Sequence, residues 1–141
     1  MPGCNPNNTT ENPTGGGNAI AVVDAYDYPT AASDLSTFSA QFGLPAANFT
    51  VVYASGTRPS PDPTGGWELE EALDIEWSHA IAPKAKIFLV EAASNSNTDL
   101  LTGVAVASKL VAENGGGEVS MSWGEGEFSG ETAYDNNFTK P

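Results

Sequence analysis

Glu70 and Asp74 stand four residues apart in a stretch, 67–81, whose apolar residues recur at helical spacing. At about 100° per residue, Leu69, Leu73, Trp77, Ala80 and Ile81 share one arc, and that arc is expected to face a core. Glu70 falls inside it and Asp74 at its border, while Glu68, Glu71, Glu76 and His79 point elsewhere. Carboxylates four residues apart on a helix are neighbours. When two of them share a partly desolvated site they do not readily both ionise, so one pKa rises and a proton is shared. Such a pair can serve as a general base in acid, where a histidine would already be protonated. A helix turned the other way would leave the same two groups on a solvated acidic face, and the spacing alone is compatible with both arrangements.

The elements around this helix alternate. Residues 19–23 (Ala-Ile-Ala-Val-Val) form a continuous apolar run of the kind found in strands buried on both faces. The run ends in a polar turn, Asp24 to Pro29. A helix is expected over 30–42, with Leu35, Phe38 and Phe42 in phase and Gly43 at its end. Strands follow over 49–53, 85–91 and 118–123, with helices over 67–81 and 99–113 and a further helical segment over 129–138. The alternation predicts an α/β fold with a parallel sheet between helical layers. Ligands of such sheets lie beyond the carboxyl ends of the strands, so the turns after Asp24, Glu91 and Trp123 are where chemistry is expected. Residues 1–17, rich in Asn, Thr, Pro and Gly, read as a polar leader or linker, leaving 18–141 as the folded part.

Composition narrows the function classes. The chain carries 18 Asp and Glu against 5 Lys and Arg, a net charge of −13. That surface would repel a phosphate backbone, which argues against nucleic acid as a partner. The chain has no basic amphipathic stretch and no apolar run long enough to span a bilayer, so no membrane partner is expected. The charge is compatible both with simple solubility and with life in acid, where carboxylates are neutralised. Cys4 is the sole cysteine, so no disulfide can form within the chain; it is either free or paired outside. His79, the sole histidine, has no cysteine or acid at ligand spacing, so no metal site is expected from these residues.

Glu70-Glu71-Ala72-Leu73-Asp74, followed by Ala82-Pro83-Lys84-Ala85-Lys86-Ile87, resembles the catalytic helix and succeeding strand of the sedolisins, the serine-carboxyl peptidases. Two further blocks match in order: 20–27, which ends Asp-Ala-Tyr-Asp, and Ser120-Met121-Ser122-Trp123-Gly124. The likeness spans about 18–141, the N-terminal part of that family's catalytic domain. It implies a subtilisin-like three-layer α/β fold and a secreted endopeptidase, most active in acid, that cleaves peptide bonds by serine acyl transfer. Glu70 would be the general base to the serine, and Asp74 would hydrogen-bond Glu70 and hold the shared proton. Ser122, Trp123 and Gly124 would line the substrate cleft, pairing with a bound peptide as an added strand. Asp24 would either join the network behind Glu70 or merely cap its turn.

The 141 residues contain neither the Gly-Thr-Ser motif that carries the family's nucleophile nor a Gly-Asp-Ser-Gly-like motif for its oxyanion aspartate. Acyl transfer without these groups loses nearly all of its advantage, so this chain alone is expected to be inactive. A complementary C-terminal peptidase chain is one expected partner, besides a peptide or protein substrate. The resemblance places a calcium ion in that C-terminal part and no cofactor in these residues. The competing reading is a non-catalytic acidic α/β binding module descended from a peptidase.

Overall fold

The computed structural model describes residues 18–138; the polar leader expected at 1–17, with Cys4, lies outside the described residues. Strands β1 (Ala19–Ala25), β2 (Asn48–Tyr53), β3 (Lys86–Ala92) and β4 (Gly117–Ser120) alternate with helices α1 (Ala31–Gln41), α2 (Gly66–Ile81) and α3 (Asn97–Glu113). A 3-10 helix at Glu131–Asn137 occupies the last segment expected to be helical. The strands form one sheet in the order β2-β3-β1-β4, and every pairing is parallel. β1 and β3 lie in the middle, which is why each carries a continuous apolar run, 19–23 and 87–90, before its acidic end.

Side-chain alternation along the strands sorts the core into two layers. Ala19, Ala21 and Val23 of β1, with Phe88 and Val90 of β3, pack against Val104, Ala107 and Val111 of α3. Val22, Ile87 and Leu89 point the other way, toward Ala31 and Leu35 of α1 and Ile75 of α2. α3 approaches so closely that a Cβ at Gly103 would lie 2.7 Å from Val23 Cγ1. β4 meets β1 still more tightly. Gly117 has φ +148°, and a Cβ there would sit 1.8 Å from the Ala19 carbonyl oxygen, so only glycine fits.

β4 ends at Ser120, short of the expected Trp123. Past that point a side chain replaces the backbone ladder: the Trp123 indole N–H donates to the Val23 carbonyl at 2.8 Å. α2 starts under Asp62, whose Oδ2 accepts from the backbone N–H groups of Gly66 (3.0 Å) and Trp67 (3.1 Å), satisfying donors that the first turn leaves free.

The phase of α2 is opposite to the one its apolar arc suggests. Leu69, Leu73, Trp77 and Ile81 are exposed, Leu69 to 73% and Ile81 to 66%, whereas Glu71, Ile75 and His79 are fully buried. Ile75 and the small Ala72 fill the layer against Leu35, Val22, Ile87 and Leu89. The larger arc is left looking over β4, where Leu73, Trp77 and Ile81 line an open groove of about 520 Å³ with Ile20, Val119 and Ser120. His79, expected to point away from the core, instead donates its Nε2–H to the Pro45 carbonyl at 2.8 Å, since a carbonyl can only accept.

Candidate active site

The alternation that builds the core also decides which polar groups meet at the carboxyl ends of the strands. On β1, Ile20 and Val22 face α1 and α2, so Asp24 does too; on β3, Ile87 and Leu89 are followed on the same face by Glu91. Asp24 and Glu91 are register partners on adjacent parallel strands. On the segment leaving β4, Val119, Met121 and Trp123 lean toward the α3 layer, which leaves Ser120 and Ser122 for the α2 side. α2 then lays Glu70, Glu71 and Asp74 along this row.

Asp74 is half-buried. Its Oδ1 accepts from Ser122 Oγ at 3.0 Å, and its Oδ2 has no partner. Burial pushes its pKa above the usual carboxylate value, and the Ser122 hydroxyl partly offsets that by favouring the charged form. Asp24 is fully buried with both carboxyl oxygens unpartnered. Its pKa is pushed up to about 8, first by burial and then by the negative charges of Asp74, Glu70 and Glu91. Both residues of the sequence-derived pair are therefore within electrostatic reach of Asp24. The hydrogen bond expected between Asp74 and Glu70 is not formed; the partner of Asp74 is Ser122. Glu70, itself half-buried, lies one turn before Asp74 on the same flank of α2.

The residues expected to line a cleft divide. Ser122 reaches the acidic row, as described. Trp123 turns to the other face of the sheet, its indole on Val23 and its ring against Ala25, Ala92 and Leu100 with Tyr26 and Trp67, so its role is to anchor the backbone beside the row. Gly124 is exposed, with open space around its Cα. Tyr26 closes the β1 end with φ +75°, a conformation unusual outside glycine; its hydroxyl donates to Asn95 Oδ1 at 3.1 Å and its ring stands 6.5 Å from that of Trp67. Among the described residues no group of three or more His, Cys, Asp or Glu side chains is arranged to hold a metal ion.

Two members of the row were not singled out from the sequence. Glu71 is fully buried, with both oxygens unpartnered, and its pKa is raised to about 10 by burial and then by Glu91, Asp24, Asp27 and Glu68. Glu91 is held by the Tyr28 N–H at 3.2 Å, yet burial still lifts its pKa to about 7. Asp27, also buried, accepts from Arg58 Nε at 2.6 Å. The signal for Glu91 was present in the strand pattern, because Ile87-x-Leu89-x-Glu91 places it on the inner face. For Glu71 the signal was its spacing to Ile75 and His79, which the stronger apolar arc concealed.

No protein-family model matches the chain, and no curated protein matches it. Among solved structures it is similar to the Pseudomonas sedolisin, a serine-carboxyl proteinase, complexed with two molecules of pseudo-iodotyrostatin. The TM-score is 0.62 at 17% sequence identity, over 86% of this chain and 32% of the other. The chain thus spans about a third of that proteinase, and at such identity the likeness is one of fold. Four parallel strands between helical layers, in the arrangement of that proteinase, give this chain a sedolisin-like, subtilisin-type α/β fold.

Proposed function

We propose that the chain is the base-bearing part of an acid-acting serine-carboxyl endopeptidase. Glu70 is the general base that takes the proton of a serine hydroxyl as its oxygen attacks the scissile carbonyl, and later returns that proton to the leaving amine. Asp74 sits behind it, with Asp24 next in line, so that a proton can be held among carboxyls that cannot all ionise together. Residues 122–124 flank the cleft, and a peptide lies along the free edge of β4 as an added strand. The serine and the oxyanion-stabilising group belong to a segment beyond these 141 residues, on the same polypeptide or a complementary one, together with any calcium ion. The setting is secretory and acidic, in keeping with a net charge of −13 and with the absence, among the described residues, of a helix long and apolar enough to cross a membrane.

The observation that supports this reading is the placement of Asp74. It is half-buried at the carboxyl ends of the strands, its pKa is raised by burial, and it acts electrostatically on Asp24 together with Glu70. A helix presenting its acids only to solvent would not couple them to a buried strand-end aspartate. The sedolisin-like fold adds the topology in which such a row would face a cleft.

The test is cleavage of a fluorogenic peptide between about pH 3 and 7, the range in which a shared carboxyl proton titrates. The 141-residue chain alone should give no turnover. With a complementing segment that bears a Gly-Thr-Ser serine, activity should appear in acid, and Glu70→Gln should abolish it. Turnover by the chain alone would place the nucleophile elsewhere, and full activity of Glu70→Gln would reject Glu70 as the base.

A further inference from the structure

We propose that α2 is fastened to the sheet by a proton-dependent lock: Asp24, Glu71 and Glu91 pack together as neutral acids, and neutralising the medium loosens the helix. The three carboxyls come from three separate elements, β1, α2 and β3, and all are buried to within 1% of full exclusion from solvent. Four of their six oxygens, both of Asp24 and both of Glu71, have no hydrogen-bond partner. Glu91 meets the Tyr28 N–H and the acidic side chain of Asp27, a contact between two carboxyls that needs a proton on one of them. An ionised carboxylate at Asp24 or Glu71 would have neither bulk water nor a donor, and at Glu91 the Tyr28 N–H is outweighed by burial. The ordinary response of a buried acid is to keep its proton.

The surrounding charges leave no alternative source of compensation. Asp27, in the turn after β1, and Glu68, on α2, both face Glu71 and add negative charge. Glu70 and Asp74 of α2 do the same to Asp24. From α1, Asp34 faces Glu76 rather than the lock. Among the described residues, the one cation acting on these three acids, Arg58 from the loop between β2 and α2, is exposed and spends its Nε on Asp27, so its pull on Glu91 is secondary to burial. α3 lies on the opposite face of the sheet.

The direction follows from linkage. Each acid has an unfolded pKa near 4, and a folded pKa raised to about 7 in Glu91, about 8 in Asp24 and about 10 in Glu71. Their contribution is fully present below about pH 4 and is lost as pH rises through the folded values, because the unfolded chain then releases protons that the folded chain must retain. Over that window the folded-to-unfolded ratio falls by about tenfold per pH unit for each acid still protonated in the fold. The first element to come away should be α2, since Glu71 has the most raised pKa of the three and no hydrogen bond to break. This inference concerns the fold and stands whether or not the chain takes part in peptide cleavage.

The experiment is urea unfolding of the 141-residue chain from about pH 3 to 9, followed by Trp67 and Trp77 fluorescence and by amide exchange along α2. It is run at high salt to suppress repulsion between surface carboxylates. Stability should fall steeply above about pH 4, with exchange rising in α2 before β1 and β3. Glu71→Gln, a neutral isostere, should remove one proton from the slope, making the fall about tenfold shallower per pH unit. Asp24→Asn should do the same and decides the matter if Glu71→Gln does not fold. Stability that is flat or rising from pH 4 to 7 overturns the lock, as does a wild-type slope in the variants that fold.

Discussion

Ser122 Oγ donates to Asp74 Oδ1 at 3.0 Å and so ties the segment after β4 to α2 across 48 positions of sequence. The contact arises from two independent periodicities. Alternation past β4 sends Ser122 to the α2 side, and the phase of α2 turns Asp74 toward the free edge of the sheet. No other side-chain hydrogen bond of Asp74 competes with it among the described residues.

That bond predicts the behaviour of Ser122→Ala. The hydroxyl favours the ionised form of Asp74, so removing it should raise the Asp74 pKa further above its ordinary value. The bond itself is exposed and should contribute no more than about 1 kcal/mol. Because the folded pKa is the one that rises, the variant should match the parent below about pH 4, the unfolded value, and be less stable at neutral pH. A carbon-detected NMR titration of the Asp74 carboxyl checks the shift. An unchanged or lowered pKa would show that Ser122 does not act on it.

The orientation of α2 is tested by a pair of truncations. Ile75 is completely buried between α1 and the sheet, so Ile75→Ala should cost about 2–5 kcal/mol. Trp77 is larger but 59% exposed, and Trp77→Ala should change the stability of this chain by no more than about 1 kcal/mol. Urea midpoints of the two variants measure both. The reverse ranking would mean that α2 sits on the sheet by its Leu69–Ile81 arc.

The same contrast marks what was legible in the sequence. The strands announced themselves because β1 and β3 are central and carry continuous apolar runs, 19–23 and 87–90, and the alternation of elements sufficed for a parallel α/β sheet. Asp24 could be placed because it ends such a run. The helix could not be phased the same way: α2 carries apolar residues on two sides, and hydrophobicity alone favours the arc with two leucines, a tryptophan and an isoleucine. The narrow layer over Val22, Ile87 and Leu89 takes Ile75 and Ala72 instead, a tertiary fact absent from the helix's own sequence. Buried Glu71 was missed for that reason, since charged residues are read as solvated unless a partner is visible. Here the neighbours are other acids, and none bonds to it.

Gly117 offers a test of the sheet edge. Its φ of +148° and its approach to the Ala19 carbonyl leave no volume for a methyl group, which would have to lie 1.8 Å from that oxygen. Gly117→Ala should therefore part β4 from β1, at a cost of about 2 kcal/mol or more. The Ala19 amide, which donates to the Gly116 carbonyl at 3.1 Å, should lose its protection from exchange while β1–β3 amides keep theirs. Protection retained at Ala19 would show that the edge tolerates a side chain.

Asp62 responds to pH in the opposite sense to the acids beneath α2. Its pKa is lowered, first by the Thr64 hydroxyl and then by the Thr64 N–H, with the Trp67 and Gly66 N–H groups adding to this. The Thr64 hydroxyl lies 2.6 Å from Oδ2 and the Thr64 N–H donates to Oδ1 at 3.0 Å. A carboxylate with a depressed folded pKa contributes stability that is present above its unfolded value, near 4, and lost as pH falls through the folded one. Asp62→Ala should thus fray the first turn of α2 at neutral pH, with faster amide exchange at Gly66 and Trp67, and its deficit relative to the parent should shrink toward about pH 2 as the parent's own carboxyl is protonated. Asp62→Asn keeps an acceptor for the same N–H groups and should recover part of the protection at pH 7 while showing little of this pH dependence. If Asp62→Ala exchanges no faster than the parent at pH 7, the start of α2 is fixed by its packing and not by this cap. If its deficit instead grows in acid, the charged form of Asp62 is not the one that holds the helix.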